Sequence, residues 1–295
     1  MLFPSTLHLL RMLKPKQLVI MAGGASSRMK KSLSQVALKE ETKTIAQHSH
    51  KSLIPLGEKN RPLLYYHFLM AQQAKVNEIF IITPEENEDF SSFISSPLVQ
   101  KEFKDMVFHL IPQSIPMGRE KPLGTADAVL QAMTKHPALN QGTFVVLNGD
   151  NIYSKEALAA LYSLPEKQQA LIGYERDGLR FTEERIQKFA VLDYNAEHQL
   201  TQLIEKPNAA AVEHVQHTHG QLRVSMNIFK LHGPSIRHYL EKCPLHPIRQ
   251  EKELPVAIQA CAQENPTAFL VLPRNEHVPD LTSAEDIKAL ETEGF

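Results

Sequence analysis

Eight short runs rich in aliphatic and β-branched residues punctuate the chain, and the stretches between them carry helical patterning. The runs are Leu18–Met21, Glu78–Thr83, Val107–Ile111, Thr143–Leu147, Ala170–Tyr174, Phe189–Asp193, Val224–Lys230 and Ala268–Leu272. Strands that alternate with helices can pair in parallel, because a parallel pair needs a crossover long enough to hold a helix. The pattern therefore predicts a mostly parallel sheet with helices on both faces. Between the early runs, Pro62 to Ala74 opens with proline in its first turn and stays apolar for three turns. Thr125 to Met133 puts Ala126, Val129, Leu130 and Met133 on one stripe, and Pro55 to Asn60 reads as a turn. No internal repeat and no Pro/Gly/Ser linker divides the chain. One domain is expected over residues 17–295, with residues 1–16 as an N-terminal extension that lacks the basic start and small-residue cleavage site of a signal peptide.

Composition excludes several classes of function. Of the 295 residues 42% are apolar, enough for a substantial core. Against 32 Lys and Arg stand 33 Asp and Glu, so no excess of basic charge points to nucleic acid or to an anionic membrane surface. No run reaches the roughly 18 apolar residues of a membrane span, and the cytoplasm is the default location. The two cysteines, Cys243 and Cys261, have neither disulfide-framework nor metal-site spacing. His214, His217 and His219 fall close together but have no neighbouring cysteine or second histidine pair, so this stretch reads as a solvated polar loop.

In open α/β sheets ligands bind beyond the carboxyl ends of the strands, and the residues there form a coherent set. The first run ends in Met21-Ala22-Gly23-Gly24-Ala25-Ser26-Ser27-Arg28, whose glycine amides and guanidinium suit a polyphosphate. The fourth run delivers Asn148, Gly149 and Asp150; a carboxylate at the end of an apolar strand needs solvent or a cation, and a hard divalent ion shared with phosphate oxygens is a natural partner. The local alternative is that Asp150 and Asn151 form a turn ahead of a helix that Ser154 caps.

In their order these segments resemble the sugar nucleotidyltransferase family, the nucleotide-sugar pyrophosphorylases of the nucleotide-diphospho-sugar transferase superfamily. The resemblance rests on Met21 to Arg28, Lys51-Ser52-Leu53-Ile54-Pro55-Leu56, Leu123-Gly124-Thr125-Ala126, Val146 to Asp150, Ile204-Glu205-Lys206-Pro207, Ser225 to Phe229 and Asp280 to Asp286, spanning nearly the whole chain. It implies a three-layer α/β/α sandwich with a Rossmann-like central sheet. It also implies Mg²⁺-dependent transfer of a nucleotidyl group from a nucleoside triphosphate to a sugar 1-phosphate, with release of pyrophosphate. By the same resemblance Arg28, Lys51 and Asp150 are the expected catalytic residues. Ala22, Gly23, Gly24, Gln113, Gly124 and Thr125 would bind the nucleotide, and Glu205, Lys206 and Asn227 the sugar phosphate. Asp150 and Asp280 would hold Mg²⁺. The expected partners are these two substrates, not nucleic acid or a membrane, and a homo-oligomer is left open.

The chain departs from the family pattern in specific places. Arg28 and Lys51 are separated by 22 intervening residues, so Lys30 and Lys31 are alternatives for the role of Lys51. Ser26-Ser27 replaces the usual Gly-Thr, a form closer to the cytidylyl and molybdopterin-guanylyl branches of the superfamily, and a cytidylyltransferase acting on a non-sugar phosphorylated acceptor is the second reading. Gln113 reads either as a base-reading glutamine or as a surface-loop residue, and Asp280 either as a metal carboxylate or as the lead into a helix capped by Thr282 or Ser283. A catalytically silent nucleotide-sugar-binding protein is the third reading.

Overall fold

The computed structural model describes residues 15–24, 26–38 and 40–292. The extension expected over residues 1–16 thus lies outside the described residues, apart from Pro15 and Lys16. The strands are β1 (Gln17–Met21), a two-stranded ribbon of β2 (Pro55–Leu56) and β3 (Arg61–Pro62), then β4 (Glu78–Thr83), β5 (Val107–Pro112), β6 (Thr143–Asn148), β7 (Gln169–Glu175), β8 (Ala190–Tyr194), β9 (Leu200–Ile204), β10 (Arg223–His232) and β11 (Phe269–Arg274). Nine of them form one sheet in the order β11-β7-β10-β6-β1-β4-β5, with β8 paired to β10 and β9.

β1 pairs in parallel with both β4 and β6, and β5 extends the same parallel half. β10 runs antiparallel to β6, β7 and β8. From β1 the chain winds outward to β4 and β5, then crosses back to lay β6 on the other side of β1. That reversal opens a crevice at the carboxyl ends of β1 and β6. Register places Met21 beside Asn148, so the glycine loop and the Asn148–Asp150 segment leave the sheet side by side.

Each face of the sheet is covered by apolar helix surfaces. Leu64, Phe68 and Ala71 of the helix Leu63–Gln73 pack with Leu158 and Leu161 of the helix Lys155–Ser163 on one face. On the other, Ala128, Val129 and Ala132 of the helix Thr125–Lys135 meet Ile236 and Leu240 of Gly233–Lys242 and Ile258 of Leu254–Glu264. A third cluster joins Met29, Leu33, Ala46, Ile54 and Leu63 to Leu281, Ile287 and Leu290. It ties the segment after the glycine loop to the C-terminal helix Ala284–Thr292.

Two elements differ from the sequence expectation. Leu200–Ile204 is a strand, β9, although only its Leu200 and Leu203 are buried. The histidine stretch is not a loop but the end of the helix Ala209–His219: Asn208 Oδ1 accepts from the Ala211 amide at 2.9 Å, three alanines open the helix, and Gly220 closes it at φ 72°. His219 is held at its end, stacked 4.1 Å from Tyr194 with Nε2 2.7 Å from Asp193 Oδ1.

Candidate active site

A cavity of 460 Å³ opens over the carboxyl ends of β1 and β6. Gly23, Gly24 and Arg28 line it from the first loop, Lys51 from the segment before the β2–β3 ribbon, and Gln113 from the end of β5. Gly124, Thr125, Asp150, Glu205 and Asn227 of the expected set also line it, together with Asn148. Its volume lies within the range of small-molecule sites, roughly 300–1,000 Å³.

The backbone explains how these side chains converge. The Gly149 amide donates to Met21 O at 2.9 Å, and a Cβ at Gly149 would stand 2.8 Å from that same oxygen. Glycine there lets the end of β6 close on the end of β1, which brings Asp150 to the glycine loop. Ala22, 1% exposed, lies beneath the cavity, its amide donating to Ile82 O at 2.8 Å. It is a floor residue, and its side chain does not line the site.

Lys51, whose place the long preceding stretch left open, reaches the site. Its ammonium donates to Asp150 Oδ2, with both side chains mostly buried. Lys30 instead borders a separate cavity beside Gly24 and Phe90. Gln113 is a buried residue and not a surface-loop one: its backbone amide donates to Thr83 O at 2.9 Å, and its Nε2 donates to Gly124 O at 3.1 Å. A Cβ on Gly23 would touch its Oε1 at 3.4 Å, so Gln113 spans from the first glycine loop to the second.

Gly124 has φ 110°, a backbone region only glycine adopts freely, and a Cβ there would stand 2.4 Å from Lys252 O. The Ala126 amide donates to Lys252 O at 3.0 Å and the Lys252 amide to Leu123 O at 2.6 Å. The Thr125 hydroxyl accepts from the Leu254 amide at 2.9 Å, so it is engaged in joining two helix N-termini. These contacts lay the segment before the helix Leu254–Glu264 along the cavity, and Arg249, Glu251, Glu253 and Pro255 line it. Arg249 is ion-paired to Glu253. Desolvation, with the Glu253 carboxylate next, pushes the Glu205 carboxyl above its ordinary range.

The charges are partitioned. Toward the glycine loop lie Arg28, Lys51 and Asp150; toward β9 and the helix Leu254–Glu264 lie Glu205, Glu251 and Glu253 around Arg249, and Lys121 lines the cavity beside Pro122 and Gly124.

The sequence profile described as nucleotidyl transferase matches residues 17–229. The chain belongs to the nucleotidyl transferase family. Two solved structures of UDP-glucose pyrophosphorylase share its fold, each at 16% identity over 95% of this chain and 98% of the other. The one complexed with UDP-glucose superposes with a TM-score of 0.67, and the apo form with 0.69. No curated protein matches the chain by sequence. No helix among the described residues is long and apolar enough to cross a membrane.

Within this nucleotidyl transferase two more expected site residues, besides Ala22, stand apart from the cavity lining. Lys206 is exposed, in a left-handed conformation at φ 46°, at the turn after Glu205. Asp280 sits behind Asp150: the Leu281 amide donates to Asp150 O at 2.7 Å, and Asn151 bridges to Asp280. Its carboxylate accepts from Arg185 Nη2 at 2.6 Å and from the Thr282 hydroxyl at 2.9 Å. Arg185 also donates to Asp286 Oδ1 at 2.6 Å, so Asp280 belongs to a bracing network. Burial and the Asp150 charge still raise the Asp280 carboxyl above its ordinary range. Among the described residues no group of three or more His, Cys, Asp or Glu is placed to hold a metal ion.

Arg249, Glu251 and Glu253 were not singled out in the sequence. They follow a proline-containing stretch and look like a solvated charge run, since only tertiary contact with Gly124 brings them inward. The one local signal is that Arg249, Glu251 and Glu253 recur at every second residue, which in extended chain puts side chains on one side.

Proposed function

We propose that the protein is a sugar-1-phosphate nucleotidyltransferase, joining a nucleoside triphosphate to a sugar 1-phosphate with release of pyrophosphate. The partition of charge in the cavity carries this reading. Cations and glycine amides at one end suit a triphosphate; three carboxylates at the other, Glu253 paired there with Arg249, are acceptors for the hydroxyl groups of a sugar whose phosphate points back toward the cations. A phosphorylated acceptor without several hydroxyls would leave those carboxylates unused.

The reaction needs no covalent bond to the protein. A phosphate oxygen of the acceptor attacks the α-phosphorus in line, and the bond from that phosphorus to the β-phosphate oxygen breaks as pyrophosphate leaves. Catalysis is then positioning and stabilisation of charge. Gln113 holds the nucleoside end, the glycine-loop amides with Arg28 and Lys51 take the phosphate oxygens, and Glu205 with Glu253 orients the acceptor. Asp150 fits Mg²⁺ as a hard oxygen donor facing the cavity, since this ion is commonly bound through one or two carboxylates with substrate phosphates filling the rest. When bound, Mg²⁺ would lend positive charge to the reacting phosphate oxygens. Lys51 supplies a counter-charge to Asp150.

Incubating the protein with MgCl₂, each of ATP, CTP, GTP, UTP and dTTP, and a panel of hexose 1-phosphates and non-sugar phosphorylated alcohols, then measuring pyrophosphate, tests the reading. UTP with glucose 1-phosphate is the first pair to try, because the similar solved structures are of UDP-glucose pyrophosphorylase. Turnover with at least one sugar pair is the expected result. Folded protein that turns over none of them, or only CTP with non-sugar phosphates, overturns it.

A further inference from the structure

The stretch between Arg28 and Lys51 folds as the helix Ser27–Ser32, a 3₁₀ turn Leu33–Gln35 and the helix Glu40–His48, and it returns to the glycine loop at His50. The His50 ring makes two contacts that fix its tautomer. Nδ1 accepts from the Ser52 amide at 3.3 Å and lies 2.8 Å from the Ser52 hydroxyl. An amide only donates, so Nδ1 carries no proton and the ring proton is on Nε2. That Nε2–H donates to Gly24 O at 2.5 Å. The next residue completes the clasp: the Lys51 amide donates to Ser26 Oγ at 3.2 Å, while its ammonium reaches Asp150.

Gly24 is exposed, and a Cβ built on it would meet nothing within 4 Å. Packing therefore does not hold this residue, and glycine has more backbone freedom to lose than any other residue. The hydrogen bond from His50 supplies the restraint that packing does not. We propose that His50 is a positioning residue for nucleotidyl transfer, presetting the glycine loop through Gly24 O and the place of Lys51 through the cap on Ser52. Burial holds the imidazole pKa down to about 4, so the ring stays neutral and keeps this donor-acceptor arrangement at physiological pH.

The kinetic arm of the test rests on the transferase reading, and two substitutions separate the contacts. Asparagine is a good helix cap and retains an acceptor for the Ser52 amide, but it is too short to reach Gly24. Glutamine places an amide N–H near the Nε2 position. For His50→Asn the expected results are an unchanged melting temperature, faster amide exchange in the peptide that spans Gly23 to Arg28, and a KM for the triphosphate raised about tenfold, the worth of one hydrogen bond near its upper range. In His50→Gln exchange and KM return toward wild type. The inference is overturned if His50→Asn exchanges and turns over like wild type, or if both variants lose activity in proportion to lost thermal stability. If the wild-type protein turns over no substrate pair, the transferase reading fails by itself. Hydrogen exchange then decides the positioning role: an unchanged rate in His50→Asn overturns it, and a faster one upholds it.

Discussion

Two aspartates that lie back to back do different work at the scale of single residues. Asp150 faces the cavity and Lys51, whereas Asp280 faces Arg185 and Thr282. Asp150→Asn keeps the shape and removes the charge, so kcat for pyrophosphate release should fall by at least about 10²-fold, as when one preorganised electrostatic group is lost. Asp280→Asn should instead lower the unfolding free energy measured in urea, by on the order of 1–3 kcal/mol, because Arg185 loses half of its counter-charge while the cavity lining is untouched. An equal loss of kcat in both variants would place Asp280 on the substrate. His67 supplies a pH signature. It is 2% exposed behind Asp150, and burial holds its pKa down to about 4 against 6.5 for a free histidine. Above pH 6.5 the ring is neutral folded or unfolded and contributes no slope. Between about 6.5 and 4 only the unfolded chain takes up the proton, so stability falls as pH falls, by about 3 kcal/mol for this one ring. His50, with its pKa also lowered to about 4, adds a loss of the same sign. Urea midpoints measured from pH 7.5 to 4 should show this decline, and His67→Gln should flatten part of it.

At the scale of elements, the parts of the site that were legible in the sequence are those delivered by strands. The ends of β1 and β6 follow from apolar runs terminated by glycine and by an aspartate, because a buried strand that stops at polar residues announces its own carboxyl end. The wall from Arg249 to Glu253 was not legible. It has no regular structure of its own and is held at the cavity by contacts with distant segments, the backbone hydrogen bonds of Lys252 with Leu123 and Ala126 and the one from Arg119 Nη2 to Gln250 O among them. Lys51 lay between: its motif was visible, but the 22 intervening residues obscured whether it returned to the site, and that return depends on His50. The Gly124 contact is the element-scale hinge of this assembly. In Gly124→Ala the new methyl would stand 2.4 Å from Lys252 O at a φ of 110°, a strain of roughly 1–3 kcal/mol that is relieved only if the 249–253 wall moves outward. The expected outcome is a KM for the sugar phosphate raised roughly tenfold or more, with a smaller change for the triphosphate. Steady-state kinetics with each substrate varied in turn checks it.

Across the whole molecule, the glycine loop is not supported by the sheet alone. Met29 follows Arg28 directly and is fully buried in the cluster that holds Leu33, Ala46, Leu281, Ile287 and Leu290. The Ala284 amide donates to Ser32 Oγ at 2.9 Å, joining the same two regions by a hydrogen bond. A helix at the end of the sequence thus braces the phosphate end of a site whose loop lies near its beginning. Ile287 and Leu161 are both fully buried, one in this cluster and the other against the sheet. Truncating either to alanine leaves a cavity and should cost about 2–5 kcal/mol. Only Ile287→Ala loosens the floor beneath Arg28. At a temperature where both variants are folded, Ile287→Ala should therefore raise the KM for the triphosphate, while Leu161→Ala should keep wild-type kinetics at an equal loss of stability. Matched kinetics in the two variants would show that the C-terminal helix stabilises the fold without reaching the phosphate loop.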